Sequence, residues 1–158
     1  MADIINLSDP KDKRILIVED DESVMDFLRF ALEKEGFRTT SAADGEEAIK
    51  KANNEKPDLI LLDMMLPKKG GFEVIKAIQT SECRHIPVIV ITGRFIDDSF
   101  RDMVKFEPNV KEFILKPVKT PYLVFRLHSI LQTKSKEEAA AEQRRKTVEE
   151  RLRPKAEE

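Results

Sequence analysis

The chain has 158 residues, of which 41% are apolar and 37% are charged, and its formal net charge is −2. This length suits one domain of ordinary size with a tail, and no apolar stretch approaches the roughly 20 residues that a membrane-spanning helix needs. The near-zero net charge does not indicate a nucleic-acid binder, and several dense apolar runs argue against wholesale disorder.

The composition divides the chain into three parts. Residues 1–12 are mixed and polar, and we expect a short, loose lead-in there. Residues 13–132 alternate short apolar runs with helix-like segments and form the predicted domain. Residues 133–158 carry eight basic and seven acidic side chains and no aromatic residue, which predicts a charged tail that is helical or disordered.

Five short runs in the central part predict strands. They cover residues 15–18, 37–41, 59–62, 88–91 and 113–115. Four of these runs are continuously apolar rather than alternating, which is typical of strands that are covered on both faces in a parallel sheet.

Apolar residues at helical spacing follow each predicted strand. These helical patterns cover residues 24–32, 45–54, 71–80, 99–106 and 120–131. Gly36 is a suitable stop for the first helix, and Thr120 is expected to cap the last one, ahead of Pro121 in its first turn. The order βαβαβαβαβα predicts a single α/β domain of the doubly wound, flavodoxin-like type with a five-stranded parallel sheet.

The tail admits more than one interpretation. Residues 136–152 hold no proline or glycine, so a continuation of the last helix is one expectation. Charged residues occupy three positions of its heptad seam, which argues against a stable coiled coil. A solvated helix or a disordered segment is the simpler interpretation, and a docking segment that uses residues 144–146 is the alternative.

Polar and charged residues stand at the ends of four predicted strands: the acidic run 19–21, Asp63, Thr92 and Lys116. The carboxyl ends of parallel strands meet at one edge of the sheet, where ligands bind in such folds. Clustered carboxylates repel one another, and a hard divalent cation with oxygen ligands relieves that repulsion. Taken singly, Asp21 suits a helix cap and Asp63 suits a turn.

Five segments carry a resemblance to a known family. They are residues 14–21 (RILIVEDD), 57–67 (PDLILLDMMLP), 70–72 (GGF), 86–93 (IPVIVITG) and 113–117 (FILKP). With these segments the chain resembles the receiver domain of two-component response regulators, the CheY-like group. The resemblance spans about 120 residues, nearly all of the globular part.

The resemblance implies a phosphoacceptor and a Mg2+ site. Asp63 would accept the phosphoryl group. Glu19 and Asp20 would serve the Mg2+ ion, together with an oxygen of Asp63 and the backbone carbonyl of Met65.

It also implies three further roles. Thr92 would bond a phosphoryl oxygen through its hydroxyl, and Lys116 would pair with Asp63 before the reaction and with the phosphoryl group afterwards. Phe113 stands at the place of the family's switching aromatic residue; the alternative is an ordinary packed side chain. The neighbours Met65 and Arg94 depart from a common pattern and leave the phosphoryl lifetime open.

These roles make the chain a signalling switch rather than an enzyme. The resemblance implies a phosphohistidine donor on a sensor histidine kinase or phosphotransfer protein and a downstream protein target whose identity is unknown. We expect no direct DNA binding and no membrane association, and homodimerisation on phosphorylation is left open. A single cysteine, Cys83, and the lack of a secretory leader predict a cytoplasmic location.

The function expected from the resemblance is that of a stand-alone receiver, and other functions compete with it. A receiver fold that serves as an interaction or dimerisation module without phosphorylation is the main alternative. A phosphatase of the haloacid dehalogenase type needs an aspartate where Met65 stands. A flavodoxin-like cofactor carrier needs a phosphate loop where the acidic run 19–21 would repel the phosphate. The two histidines, His85 and His128, are interpreted as surface or packing residues, because no metal-ligand spacing surrounds them.

Overall fold

The computed structural model describes residues 6–93 and 97–156, within which five strands alternate with helices. The strands are β1 (Arg14–Val18), β2 (Arg38–Ala42), β3 (Leu59–Asp63), β4 (Val88–Thr92) and β5 (Val110–Leu115). The helices are α1 (Glu22–Lys34), α2 (Gly45–Glu55), α3 (Gly71–Gln79), α4 (Asp98–Lys105), α5 (Thr120–Leu131) and α6 (Lys136–Leu152). All neighbouring strands pair in parallel, in the order β2-β1-β3-β4-β5.

Two apolar layers cover the sheet, one on each face. Alternate residues of a strand point to opposite faces, so Leu16 and Val18 pack with α2, α3 and α4, whereas Ile15 and Ile17 pack with α1 and α5. Every residue of β3 and β4 is buried, which explains their unbroken apolar sequences. The doubly wound, five-stranded α/β fold expected from the sequence is confirmed.

The register brings the carboxyl ends of the central strands to one level. Val18 pairs with Leu62, Asp63 pairs with Ile91, and Thr92 pairs with Leu115. The residues that close or follow β1, β3, β4 and β5 therefore form one edge of the sheet, called the acidic rim below.

Several element boundaries differ from those expected. Strand β5 begins three residues earlier than its apolar core suggests, because Val110 already pairs with Val88. Thr120 was expected to cap α5, but it lies within the helix, and Lys119 occupies the cap position without a side-chain hydrogen bond. Gly36 ends α1 as expected and adopts a φ of 100°, which glycine reaches without strain.

The lead-in is ordered where the structure describes it, contrary to the expectation of a loose segment. Asp9 caps a short 3-10 turn, Pro10–Asp12, by accepting a hydrogen bond from the Lys11 amide, and Pro10 is buried. Ser8 forms an isolated parallel bridge with Thr133. Residues 1–5 lie outside the described residues.

The tail forms a helix of its own instead of extending α5. Gln132 adopts the left-handed conformation, with a φ of 53°, and thereby ends α5. Ser135 starts α6 with a capping box, in which its hydroxyl accepts from the Glu138 amide and the Glu138 carboxylate accepts from the Ser135 amide. Helix α6 buries no residue, as expected for a solvated helix. Among the described residues, none of the helices combines the length and apolarity needed to span a bilayer.

Candidate functional site

The acidic rim gathers the site residues that the sequence singled out. Glu19 and Asp63 are buried carboxylates at the ends of β1 and β3, and Asp20 is exposed beside them. Carboxylate oxygens of these three residues lie within 4.8 Å of one another. The prediction that the strand ends bring these carboxylates together is therefore confirmed.

Lys116 bridges the two buried carboxylates. Its Nζ lies 2.9 Å from Oε2 of Glu19 and 2.9 Å from Oδ2 of Asp63. Burial lowers the pKa of Lys116, but the hydrogen bonds to both carboxylates outweigh that effect and raise the pKa above its usual 10.5. The ammonium therefore stays charged, and it holds both oxygens at hydrogen-bonding distance.

The surroundings of Glu19 in the acidic rim raise its proton affinity. Burial raises the pKa of Glu19 above its usual 4.5, and the nearby charge of Asp63 raises it further. The hydrogen bond from Lys116 and the backbone amide of Asp21 act in the opposite direction without cancelling the shift. Even beside Lys116, Glu19 is therefore protonated more readily than an exposed glutamate.

The donor set of the rim fits a hard divalent cation. Three carboxylates converge, and oxygen ligands are those that Mg2+ prefers. Within the described part of the chain, only Lys116 forms an ion pair with these carboxylates, which leaves the three short of positive charge. Glu19, Asp20 and Asp63 would hold such an ion; the backbone carbonyl of Met65 stays a prediction as a fourth ligand.

The hydroxyl of Thr92 is buried beside this cluster without a hydrogen-bond partner. Thr92 closes β4 and is fully buried, and its Oγ1 contacts no donor or acceptor among the described residues. Its backbone carbonyl accepts a hydrogen bond of 2.7 Å from the Lys116 amide. Since buried hydroxyls are almost always hydrogen-bonded, Thr92 offers a free hydroxyl for a group that enters the rim.

The loop after β3 orients the Asp63 carboxylate through a backbone hydrogen bond. The Met65 amide donates to Oδ1 of Asp63 at 3.0 Å, which leaves Oδ2 for Lys116. The side chain of Met65 itself is 66% exposed. Gly71 brings α3 against this loop: its amide donates to the Met64 carbonyl, and a Cβ there would lie 2.7 Å from Cα of Met64.

Two residues near the rim have structural roles. Asp21 is the N-cap of α1, and its Oδ1 accepts from the Val24 amide at 3.1 Å, so the interpretation of Asp21 as a cap is confirmed. Phe113 is partly buried against the layer that holds α4, with Nζ of Lys105 5.6 Å from its ring centroid. Its role as a switch stays a prediction, and Arg94 lies outside the described residues.

The sequence did not reveal the polar contacts of His128. This side chain is 9% exposed; its Nδ1 lies 2.7 Å from Oγ1 of Thr133, and its Nε2 lies 3.2 Å from Oε2 of Glu35. Its ring also packs on Phe37. The packing role expected for His128 is confirmed, but its polar partners carry no sequence signal, because Glu35 lies 93 residues away. His85 is exposed.

Comparison with known proteins agrees with this geometry. A family model described as "Response regulator receiver domain" matches residues 15–128. The chain is 38% identical over 120 residues to the alkaline phosphatase synthesis transcriptional regulatory protein PhoP of Bacillus subtilis; the match covers 76% of this chain and 49% of that relative. The chain thus spans about half the length of that curated relative.

Solved receiver structures share the fold. A CheY-like response regulator receiver domain protein from Methanospirillum hungatei is 31% identical, with a TM-score of 0.68 and coverage of 75% of this chain and 93% of that one. The receiver domain of sensor histidine kinase PA1611 from Pseudomonas aeruginosa, solved with magnesium in its active site cleft, is 27% identical, with a TM-score of 0.68 and coverage of 75% and 97%. The chain belongs to the response regulator receiver domain family.

Proposed function

We propose that the chain is the phosphoacceptor of a two-component system and that Asp63 receives the phosphoryl group. The observation that carries this proposal is the position of Lys116, whose ammonium contacts both Asp63 and Glu19. Thr92, at the end of the intervening strand β4, adds a buried hydroxyl that has no partner among the described residues. A purely structural ion pair needs neither a third carboxylate nor a free buried hydroxyl.

The reaction forms a bond between an oxygen of Asp63 and phosphorus and breaks the phosphorus–nitrogen bond of a phosphohistidine on the donor protein. The donor would be a histidine kinase or a phosphotransfer protein, as befits a receiver domain. Phosphoryl transfer depends on alignment and on neutralising charge, and the Met65 amide fixes the orientation of Asp63. The leaving imidazole keeps the bonding electron pair and takes a proton.

We propose Mg2+ as the cofactor, held by Glu19, Asp20 and Asp63. When bound, the ion neutralises the incoming phosphoryl oxygens and the carboxylates around them. Its binding to the receiver of PA1611 supports the assignment, as do the three converging carboxylates of this chain. The three carboxylates would hold the ion, and Lys116 would pair with the phosphoryl group after the reaction.

The output of the switch is a change in protein–protein contacts. Acyl phosphate formation adds about two negative charges and several acceptor oxygens. Thr92 donates its free hydroxyl to one of them, and movement of Thr92 opens space into which Phe113 turns. This couples the rim to the surface of α4, β5 and α5, where a downstream protein or a second copy would bind.

The same site argues against catalytic turnover of phosphate esters. A haloacid dehalogenase-type enzyme needs a second aspartate two residues after the nucleophile; Met65 stands there instead and exposes a thioether. We therefore propose a signalling phosphoacceptor rather than an enzyme that hydrolyses phosphate esters. The alternative, an interaction module that works without phosphorylation, does not explain the free hydroxyl of Thr92.

The test is phosphorylation by a small acyl phosphate. Incubation with acetyl phosphate and Mg2+ should give one base-labile phosphoryl adduct, visible by intact-protein mass spectrometry. Chelation of the metal and Asp63→Ala should each abolish it, whereas Asp26→Ala, an exposed acidic residue of α1, should leave it unchanged. An adduct that survives Asp63→Ala would overturn the assignment.

A further inference from the structure

Hydrogen bonds join the two ends of the domain. They lie on the side of the sheet where the strands begin, opposite the acidic rim. The Ser8 amide donates to the Gln132 carbonyl at 2.9 Å, and the Lys134 amide donates to the Ser8 carbonyl at 2.9 Å. Ser8 precedes β1, and residues 132–134 follow α5, which runs back from the rim to the edge where the strands begin. Ser8 and residues 132–134 are called the clasp here.

A buried side-chain cluster anchors the clasp to the domain. Thr133 is 1% exposed; its amide donates to the His128 carbonyl, and its hydroxyl contacts Nδ1 of the same residue. The other ring nitrogen of His128 contacts Glu35, the C-cap residue of α1. The clasp is thereby connected to both helices on this face of the sheet.

No residue between α5 and α6 is free of such contacts. Gln132 takes the left-handed conformation that ends α5, and Thr133 and Lys134 are paired with Ser8. Ser135 caps α6. The Nζ of Lys134 also lies 2.5 Å from the carboxylate of Glu142 on the second turn of α6.

We propose that the clasp, anchored by the contact between Thr133 and His128, fixes the direction in which α6 leaves the domain. Helix α6 buries no residue, so packing against the domain does not hold it. Its direction is instead set by the four linker residues 132–135 and their partners. The N-terminal segment therefore controls a C-terminal helix, and this arrangement does not depend on phosphorylation.

The clasp also shapes a groove beside the first turn of α6. The groove has a volume of about 880 Å³ and lies between α1 and α5, with Leu7 and residues 135–138 along its wall. Phe27, Phe30 and Phe125 line it and are at least half exposed. Release of the clasp would remove one wall of this groove.

The first test measures the direction of α6 in the full chain. Nitroxide labels are placed at two exposed positions, Asn54→Cys on α2 and Gln143→Cys on α6, while Cys83 is buried and does not compete. Double electron–electron resonance should give one narrow distance distribution. A chain that lacks residues 1–8 should give a distribution several times broader, whereas a chain that lacks residues 1–5 keeps Ser8 and should match the full chain.

A broad distribution in the full chain, or an equally narrow one without residues 1–8, overturns the proposal. The second test does not rely on a deletion. Thr133→Val removes the hydroxyl that contacts His128 but keeps the shape of the side chain, and Thr133→Ser keeps the hydroxyl. Loss of one hydrogen bond should speed amide exchange at Ser8 and Lys134 roughly fivefold in Thr133→Val.

Thr133→Ser should exchange at the parent rate, and the Leu61 amide in the central strand should be unaffected in both variants, which checks the fold. Equal exchange at Ser8 and Lys134 in the Val and Ser variants would show that His128 does not anchor the clasp. Because neither test involves a phosphoryl donor, failure here leaves the phosphoacceptor assignment of Asp63 untouched.

Discussion

Lys116 reaches Asp63 across the whole width of an intervening strand. The two residues follow or close β5 and β3, which are separated by β4, and neighbouring strands lie about 4.8 Å apart. Nevertheless, Nζ of Lys116 lies 2.9 Å from Oδ2 of Asp63. The long lysine side chain spans this distance, while the backbone amide of the same residue donates to the carbonyl of Thr92 on the intervening strand.

Neutralising one carboxylate should stabilise the metal-free protein and remove its response to Mg2+. Asp20→Asn relieves repulsion among the three carboxylates, so its melting temperature without divalent ions should exceed that of the parent. Mg2+ at ten times its Kd should stabilise the parent by about 1.4 kcal/mol and the variant by much less. Differential scanning fluorimetry with and without Mg2+ measures both effects; an equal Mg2+ response would contradict the metal site.

The pKa of Glu19 predicts a pH-dependent difference between the parent and Glu19→Gln. Burial, followed by the charge of Asp63, raises the folded-state pKa of Glu19 above 4.5. The stability that this group contributes is therefore fully present below pH 4.5 and is lost as the pH rises through the higher, folded-state value.

The glutamine of Glu19→Gln does not titrate, so the variant does not lose this contribution. Its free energy of unfolding should therefore increase relative to that of the parent as the pH rises from 4.5 through the folded-state pKa of Glu19. Urea denaturation without divalent ions, at a series of pH values from 4 upwards, measures the difference. If the free energy of unfolding of the variant instead decreased relative to that of the parent with rising pH, the effect of Lys116 on the pKa of Glu19 would outweigh that of burial.

Thr92→Val should stabilise the unphosphorylated protein while weakening the switch. The variant removes a buried hydroxyl that has no partner in the described parts of the chain and keeps the side-chain volume. The free energy of unfolding should therefore rise by about 1 kcal/mol. Phosphorylation of Asp63 should still occur, but the chemical-shift change that it causes at Phe113 should shrink. Unchanged stability would indicate that the hydroxyl already has a partner in solution.

Gly71→Ala should destabilise the domain, whereas Gly70→Ala should be nearly neutral. A Cβ at Gly71 would lie 2.7 Å from Cα of Met64, but one at Gly70 has no atom within 4 Å. Moving the backbone of the loop after β3 should cost about 1–3 kcal/mol, measured by urea denaturation. It should also slow phosphorylation of Asp63, and equal stability of the two variants would exclude the steric argument.

The sequence predicted those features that depend on strand order and chain direction. Continuous apolar runs separated by helical patterns require a parallel sheet, and a parallel sheet brings residues 19, 63, 92 and 116 to one edge. The contact between Lys116 and Glu19 was not predicted, because it depends on the distance that a lysine side chain spans once the strands are assembled.

Features held together by residues far apart in sequence were missed for the same reason. Ser8 and Thr133 pair only after both ends of the domain are in place, and neither residue belongs to a motif.

The start of α5 was placed one residue late, because Thr120 suits a cap chemically, yet Lys119 occupies that position.

Helix α5 connects two opposite ends of the molecule. It begins three residues after Pro117, which follows Lys116, and it ends at the residue before the clasp. Its 12 residues span about 18 Å at 1.5 Å per residue. The acidic rim and the clasp therefore lie at opposite ends of the same helix, and the length of that helix sets the distance between them.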